Sequence, residues 1–163
     1  MTGPTSGATV MQGGRPKAYR PLAEADRRAA LEAGLAAYER GDFFEAHELL
    51  EPAWMGTADP VERDLHQGLI KLAAAFVHGV RGNPLGVVRN LTGARARLAA
   101  ARDAVTAGAN PAVGAEVDVA RLVDDVEARL AELAADGTAS VAPPRIELRG
   151  DRRRVGRRRR PAR

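Results

Sequence analysis

A repeated Gly–Asx corner between helical segments constrains the fold of this chain more than any other feature. "YERGDFFEAHELLEPA" (38–53) and "GVRGNPLGVVRNLTGA" (79–94) align so that Gly41 matches Gly82 and Asp42 matches Asn83. Glycine commonly ends a helix, and an Asx residue commonly caps the next one. The period is longer than that of a tetratricopeptide repeat, and no third copy follows. The pattern predicts helical hairpins rather than a repeat superhelix.

Composition supports an all-α fold. The chain is 45% apolar but only 4% aromatic, so its core must consist mainly of Ala, Leu and Val, as in packed helices. We expect an antiparallel array of about five helices, helix 2 starting after Asp42 and the others covering approximately 22–40, 60–81, 84–106 and 114–135. Glu45 would complete a capping box with Asp42. Pro52 should kink or end helix 2.

Composition and charge divide the chain into three regions. Residues 1–21 are rich in Gly, Pro, Ser and Thr, so we expect a disordered segment before the helical domain at 22–136. Residues 137–163 should form a disordered, Arg-rich tail. The overall charge of +4 hides a contrast, because residues 22–144 hold 12 basic and 19 acidic side chains, a net charge of −7. The helical domain is therefore acidic and the ends are basic.

Several classes of protein are disfavoured. The chain has no cysteine, which excludes disulfides and thiolate metal sites. The longest apolar run, "GLIKLAAAFVHGV", is short and interrupted by Lys71, so we expect no membrane contact. The N-terminus lacks the pattern of a signal peptide, which favours a cytoplasmic protein. No phosphate-binding loop or nucleophilic serine site is recognisable.

Helix 2 carries the residues most suited to chemistry. At about 100° per residue, five side chains fall within about 60° of His47, namely Phe43, Phe44, Leu50, Glu51 and Trp54. Glu48 lies at the edge of this arc. An unpaired polar group on such a buried aromatic face costs about 1–3 kcal/mol, so His47 and Glu51 should contact each other or helix 3. Gln67 and His78 are the candidate partners, and Gly68 would permit close helix approach.

The same residues carry a family resemblance. "GDFFEAHELLEPAW" followed by "RDLHQGLIKLAAAFVHGVRGN" closely resembles the bacterial and plant family called domain of unknown function 309. Its signature is approximately Phe-x-Glu-Ala-His-Glu-x-Leu-Glu-x-x-Trp, then Gln-Gly-Leu-Ile-x-Leu-Ala. The first half is matched by Phe43 or Phe44, Glu45, Ala46, His47, Glu48, Leu50, Glu51 and Trp54, and the second by Gln67, Gly68, Leu69, Ile70, Leu72 and Ala73. The resemblance implies a small all-helical domain with no established activity, and Pro52 and Lys71 depart from its pattern.

Three interpretations of the helix 2 residues remain open. His47, Glu48 and Glu51, with His78 from helix 3, could bind a divalent metal such as zinc, manganese or iron. A buried hydrogen-bond network of His47 and Glu51 that fixes helix packing is the interpretation we favour. In the third, a metal-free ligand pocket uses His47 as acid or base. Trp54 is expected in the core, whereas His66 is expected to be exposed or simply packed.

The C-terminal region suggests another role. Seven arginines form two clusters in "RRRVGRRRR": Arg152, Arg153, Arg154, Arg157, Arg158, Arg159 and Arg160. Such clusters suit phosphate neutralisation on DNA or RNA, and the lack of aromatics argues against base readout. However, 23 of the 25 basic residues are Arg throughout the chain, which is also typical of a GC-rich genome.

The sequence thus predicts a binding or scaffold module organised around His47, Glu48, Glu51 and Trp54. A metal-dependent hydrolase at the same residues and a nucleic-acid-associated protein are the alternatives. The spacing of residues does not indicate whether the chain is an enzyme. It also does not indicate which cofactor or partner the chain binds.

Overall fold

A computed structural model describes residues 9–12, 15–137 and 140–149, with side chains from residue 19 onward. Two short strands are followed by six helices: β1 Thr9–Gln12, β2 Arg15–Ala18, α1 Glu24–Glu39, α2 Phe43–Gly56, α3 Pro60–Val80, α4 Pro84–Thr106, α5 Pro111–Glu116 and α6 Val119–Ala135. The all-α fold class is confirmed. None of the described helices has the length and apolar character that crossing a bilayer requires.

The helices form an antiparallel array in which each pair of consecutive long helices packs together. α2 lies between α1 and α3, α3 contacts α4 along its length, and α6 packs on α4. The fifth predicted helix is in fact two helices. Val117 is extended, and the side chain of Asp118 accepts a hydrogen bond from the Arg121 N–H, so that α6 starts anew after α5.

The two repeated corners have the same local structure. Gly41 and Gly82 both adopt positive φ angles, 80° and 67°, which glycine tolerates without the steric cost of a side chain. The next residue caps the following helix, because the side chains of Asp42 and Asn83 accept hydrogen bonds from backbone N–H groups three residues on. The Gly–Asx signals therefore place both turns correctly.

Pro52 does not end α2. The helix continues to Gly56, and Pro52 lies on its exposed side. Proline removes one backbone donor from a helix, a cost that tertiary packing can offset. Here the four residues after Pro52 include Ala53 and Trp54, both fully buried, and their burial holds the last turn of the helix in place.

The core consists chiefly of Leu, Ala and Val side chains from all the long helices. Three aromatic side chains, those of Tyr38, Phe43 and Phe76, meet where α1, α2 and α3 pack. The Tyr38 and Phe43 rings are 5.3 Å apart in an edge-on arrangement, and Phe43 lies 5.4 Å from Phe76. Aromatic pairs of this geometry are favourable beyond their buried area, so this cluster fixes the start of α2 against its neighbours.

Part of the expected N-terminal disorder is replaced by structure. β1 and β2 pair as an antiparallel hairpin, with Val10 opposite Lys17. After it, Tyr19 is buried, and the Arg20 N–H donates to the Met55 carbonyl at 3.1 Å. These backbone bonds attach the segment to the end of α2, a contact that composition alone does not indicate.

The expectation of disorder from residue 137 onward is wrong for residues 140–149. Ile146 and Leu148 pack against the core, and Pro144 is buried. The Tyr38 hydroxyl donates to the Pro144 carbonyl at 3.0 Å, and the Arg149 N–H donates to the Glu116 carbonyl at 2.9 Å. Apolar burial and satisfied backbone groups thus hold this segment on the helices.

Candidate functional site

The buried face of α2 is centred on Leu50, not on His47. Ala46, Leu50, Ala53 and Trp54 are all buried. The His47 side chain is 30% exposed and that of Glu48 is 56% exposed. Because α2 packs through Leu50, the expected burial of His47 on the aromatic face is wrong, and His47 lies at the margin of the interface.

Three of the predicted site residues do come together. His47, Glu48 and Glu51 each offer one ligand atom, and these atoms all lie within 4.8 Å of one another. His47 Nδ1 is 3.2 Å from Glu48 Oε1. Glu51 is half-buried and interacts with other groups as well. One turn of helix therefore presents an imidazole and two carboxylates together at the edge of solvent.

His78 is not part of this group. It lies near the C-terminal end of α3, where Asn83 Nδ2 is 3.2 Å from its Nδ1. A Cβ atom built on Gly86 would lie 2.6 Å from the His78 ring, so the ring packs against the start of α4. The predicted four-residue ligand set across α2 and α3 is not assembled.

Gly68 and Lys71 of α3 lie against α4. A Cβ atom on Gly68 would lie 2.6 Å from Leu98 Cγ, and one on Gly93 would lie 2.9 Å from Lys71 Cδ. Gln67 is buried. Gly68 therefore does permit a close helix approach, but the helix that approaches it is α4. Since α3 contacts both α2 and α4, the sequence pattern alone could not indicate which of the two helices would lie against Gly68.

The two aromatic site candidates have opposite environments. Trp54 is fully buried, and its indole Nε1 has no hydrogen-bond partner among the described residues. Phe44 is 61% exposed. Trp54 therefore belongs to the core, as expected, whereas Phe44 lies beside the His47 group on the outer surface of α2.

A second cluster of charged groups lies between α1 and α3 and was not predicted. Arg27 Nε donates to Glu62 Oε1 at 2.6 Å, and Arg27 Nη2 donates to Glu62 Oε2 at 3.2 Å. The Thr57 hydroxyl donates to Glu62 Oε2 at 3.0 Å, and His66 Nε2 lies 3.5 Å from Glu62 Oε1. The i, i+4 spacing of Glu62 and His66 was a visible signal, but Arg27 is too distant in sequence to be paired by spacing.

The environment of Glu62 favours its ionised form. Burial opposes ionisation, but the hydrogen bonds from His66, Arg27 and Thr57 outweigh it and lower the pKa of Glu62 from 4.5 to about 2. At 3.5 Å the His66 contact is long, so the shorter bond from Arg27 is the stronger restraint on the carboxylate. His66 itself is buried, and its Nδ1 has no partner among the described residues.

A cavity of about 250 Å³ opens beside this cluster. Residues of α1, α3, α5 and the turns before α3 and α5 line it, including Arg27, Glu62, His66 and Glu116. Burial raises the pKa of Glu116, Arg28 lowers it, and the nearby carboxylate of Glu62 raises it further, for a net increase. Among the described residues that line the cavity, four are acidic and two are arginines.

The seven tail arginines, Arg152 to Arg154 and Arg157 to Arg160, lie outside the described residues. Their suggested role in nucleic-acid binding remains a prediction from sequence.

Comparison with known families agrees with the motif. No curated protein and no solved structure matches the chain. Residues 31–90 match the family model described as a domain of unknown function (DUF309). This span runs from the middle of α1 into α4 and contains His47, Glu48, Glu51 and Trp54. Over residues 31–90 the chain is similar to the DUF309 family.

Proposed function

We propose that this helical domain is a binding module whose His47, Glu48 and Glu51 side chains bind a divalent transition-metal ion. The observation that supports the proposal is the mutual proximity of one ligand atom from each residue, all within 4.8 Å. Ligands of one zinc ion lie about 2.0–2.2 Å from it, so small rotamer changes would bring all three atoms into a shared coordination sphere.

The donor set favours an ion of intermediate softness. Imidazole nitrogen suits zinc, iron and similar ions, and carboxylate oxygen is a common co-ligand for each of them. Three protein ligands at the edge of solvent would leave a coordination position for water or a second ligand. Open positions of this kind distinguish catalytic and ligand-binding sites from closed structural ones.

The partial exposure of His47 argues against the buried network that the sequence favoured. A network that fixes helix packing needs its polar groups inside the interface, but α2 packs through Leu50 and Trp54. Exposed pairs such as His47 and Glu48 contribute little to stability. Metal binding, by contrast, is compatible with side chains at the edge of solvent.

A metal-dependent hydrolase is the second candidate. Solvent access to the His47 side chain, which is 30% exposed, would let a metal-bound water meet a substrate. A bound metal lowers the pKa of such a water and makes it a nucleophile near neutral pH. We rank metal binding above hydrolysis because hydrolysis at this site would require a bound metal.

The test is metal content and zinc titration of the full chain without a histidine tag. We expect one ion per chain by mass spectrometry, with binding lost in His47→Ala and in Glu51→Gln. Glu45→Gln is the matched control, since Glu45 is an exposed carboxylate of the same helix that pairs with Arg40. Thermal melts would establish that all variants are folded.

Two results would contradict the proposal. One is wild-type protein that takes up no zinc, manganese or iron in titration. The other is binding that persists in folded His47→Ala, which would place the ion elsewhere. If binding is confirmed, ester and phosphoester hydrolysis by the metal-loaded protein would distinguish the hydrolase from a binding module.

A further inference from the structure

The outer side of α4 and the corner before it form a surface that is both apolar and basic. Four large apolar side chains are exposed among the described residues, and three of them belong to this segment: Val80 at 80%, Leu85 at 68% and Val88 at 39%. Three exposed arginines belong to the same segment: Arg81, Arg89 and Arg95. We refer to these six residues as the α4 outer surface.

Helical spacing places the α4 members of this set on the side of the helix that faces away from the core. At about 100° per residue, Val88 and Arg89 lie within about 60° of Leu85, and Arg95 lies within about 80° of it. Most of the buried residues of the helix lie on the opposite side, namely Val87, Leu91, Ala94, Leu98 and Ala101. The apolar and basic groups therefore share one exposed face.

The charge of this segment is opposite to that of the rest of the helical domain. No Asp or Glu occurs between Asp64 and Asp103, whereas that span holds six of the 12 basic residues of 22–144. All 19 acidic residues of that region lie outside the span. Within the part of the chain that the structure describes, the arginines of the α4 outer surface take part in no ion pair, unlike Arg97 and Arg102. The surface is therefore a basic area on an acidic domain, and its charge favours an acidic partner.

A cavity of about 620 Å³ adjoins this surface. Val80, Pro84 and Val87 line it from the α3–α4 corner, and Leu133 and Val141 line it from α6 and the segment that follows. The volume is sufficient for a leucine or aromatic side chain. A pocket for an apolar anchor beside a charged rim is the arrangement that gives protein interfaces most of their binding energy.

We propose that the α4 outer surface binds an acidic amphipathic helix of a partner protein. Such a helix would place apolar side chains on Val80, Leu85 and Val88, and one of them in the adjacent cavity. Its carboxylates would lie beside Arg89 and Arg95 and accept charge-assisted hydrogen bonds. Protein interfaces combine an apolar centre with a polar rim and are enriched in arginine, as this surface is.

Three other occupants fit these side chains less well. Nucleic acid would gain nothing from the exposed valines and leucine, and the α4 outer surface offers no aromatic ring on which a base could stack. Helices that lie on a lipid bilayer insert Trp, Phe and Leu side chains, whereas two of the three apolar residues here are valines. A second copy packed along α4 across a two-fold axis would bring equivalent arginines together, and like charges oppose such a contact.

Fluorescence anisotropy of a labelled peptide titrated with the full chain tests the proposal. The probe is a helical peptide of roughly 18 residues with Leu and Phe on one face and Glu on the other. We expect saturable binding to wild type, weakened at least about tenfold by Arg89→Glu with Arg95→Glu. The matched control is Arg28→Glu with Arg121→Glu, because these side chains are 63% and 55% exposed and lie on α1 and α6. It changes the net charge equally and should leave binding nearly unchanged.

Two further measurements separate the apolar and charged contributions. Leu85→Ser should weaken binding of the Glu probe without any change of charge, since this contact is apolar. A probe with Lys in place of Glu should bind Arg89→Glu with Arg95→Glu more tightly than it binds the control variant of equal charge.

Four results would overturn the proposal. The first is wild-type protein that shows no saturable binding of the Glu probe, and the second is equal weakening in the two double variants, which would indicate general attraction. The third is binding of single-stranded RNA or phosphatidylglycerol vesicles through Arg89 and Arg95 without binding of the peptide. The fourth is a wild-type dimer in sedimentation analysis that becomes monomeric in Arg89→Glu with Arg95→Glu, which would make a second copy the occupant.

Discussion

Arg27 and Glu62 join α1 to α3 through two parallel hydrogen bonds across 35 residues of sequence, at 2.6 Å and 3.2 Å. Their side chains are 19% and 18% exposed, so solvent screens the pair only partly. Arg27 also donates to the Leu22 carbonyl, which fixes the approach to α1. This pair therefore holds the start of α1 against the first turns of α3.

Replacing Arg27 by alanine should destabilise the fold by about 1–3 kcal/mol, because Glu62 would keep its charge and lose its strongest donor. Chemical denaturation measures the change. Arg28→Ala is the matched control on the next position of α1. Since that side chain is 63% exposed, we expect a loss under about 0.5 kcal/mol. Equal losses in both variants would refute the assigned role of Arg27.

Stability should depend on pH through Glu62. The folded pKa is about 2 and the ordinary value is 4.5, so the unfolded chain takes up this proton first as the pH falls. The stabilising contribution is complete above about pH 4.5 and is lost between pH 4.5 and 2. Denaturation curves of wild type and Glu62→Gln across this range should converge as the pH falls. A constant difference between them would contradict the linkage.

Two glycines of α3 should respond oppositely to alanine. At Gly68 a Cβ atom would lie 2.6 Å from Leu98 Cγ and 3.2 Å from the Leu98 backbone nitrogen, so we expect a loss of about 1–3 kcal/mol. At Gly79 the nearest contact is 3.7 Å from Val87, and alanine should stabilise the helix by about 0.5–1 kcal/mol. The melting temperatures of both variants measure these two effects. A Gly68→Ala variant more stable than wild type would contradict the prediction and would show that α4 can move away from α3.

Tyr38→Phe should loosen residues 140–149. The variant removes the hydroxyl that donates to the Pro144 carbonyl and leaves that buried acceptor without its partner, at a cost of about 0.5–1.5 kcal/mol. We expect faster hydrogen exchange at the Arg149 amide, which bonds Glu116, and little change at the Asp42 amide in the α1–α2 turn. Unchanged exchange at Arg149 would mean that apolar packing alone holds the segment.

We propose, from the sequence alone, that the seven arginines between 152 and 160 bind nucleic acid. Their substitution by glutamine should then abolish binding of the full chain to single-stranded RNA or DNA at low salt. For wild type, the logarithm of the binding constant should fall with the logarithm of salt concentration by about 0.7 for each phosphate neutralised on a single strand. Fluorescence anisotropy at several salt concentrations measures both effects. Binding that survives the substitutions would assign it to another surface.

Local sequence determined where the first four helices begin and where the two Gly–Asx corners lie. The helix caps and turns depend on hydrogen bonds between residues three to five positions apart, at Asp42 and Asn83 and at Gly41 and Gly82. A short stretch of sequence therefore contains everything needed to predict them. The proximity of His47, Glu48 and Glu51 follows in the same way from helical spacing.

Tertiary structure alone decided which of these side chains are buried. The periodicity of α2 admits several faces, and only the positions of α1 and α3 make Leu50 the centre and leave His47 at the edge. The Arg27–Glu62 pair and the packing of residues 140–149 are also absent from the pattern. Such contacts join distant segments, and the free energy that selects them comes from the whole packed surface rather than from any local spacing.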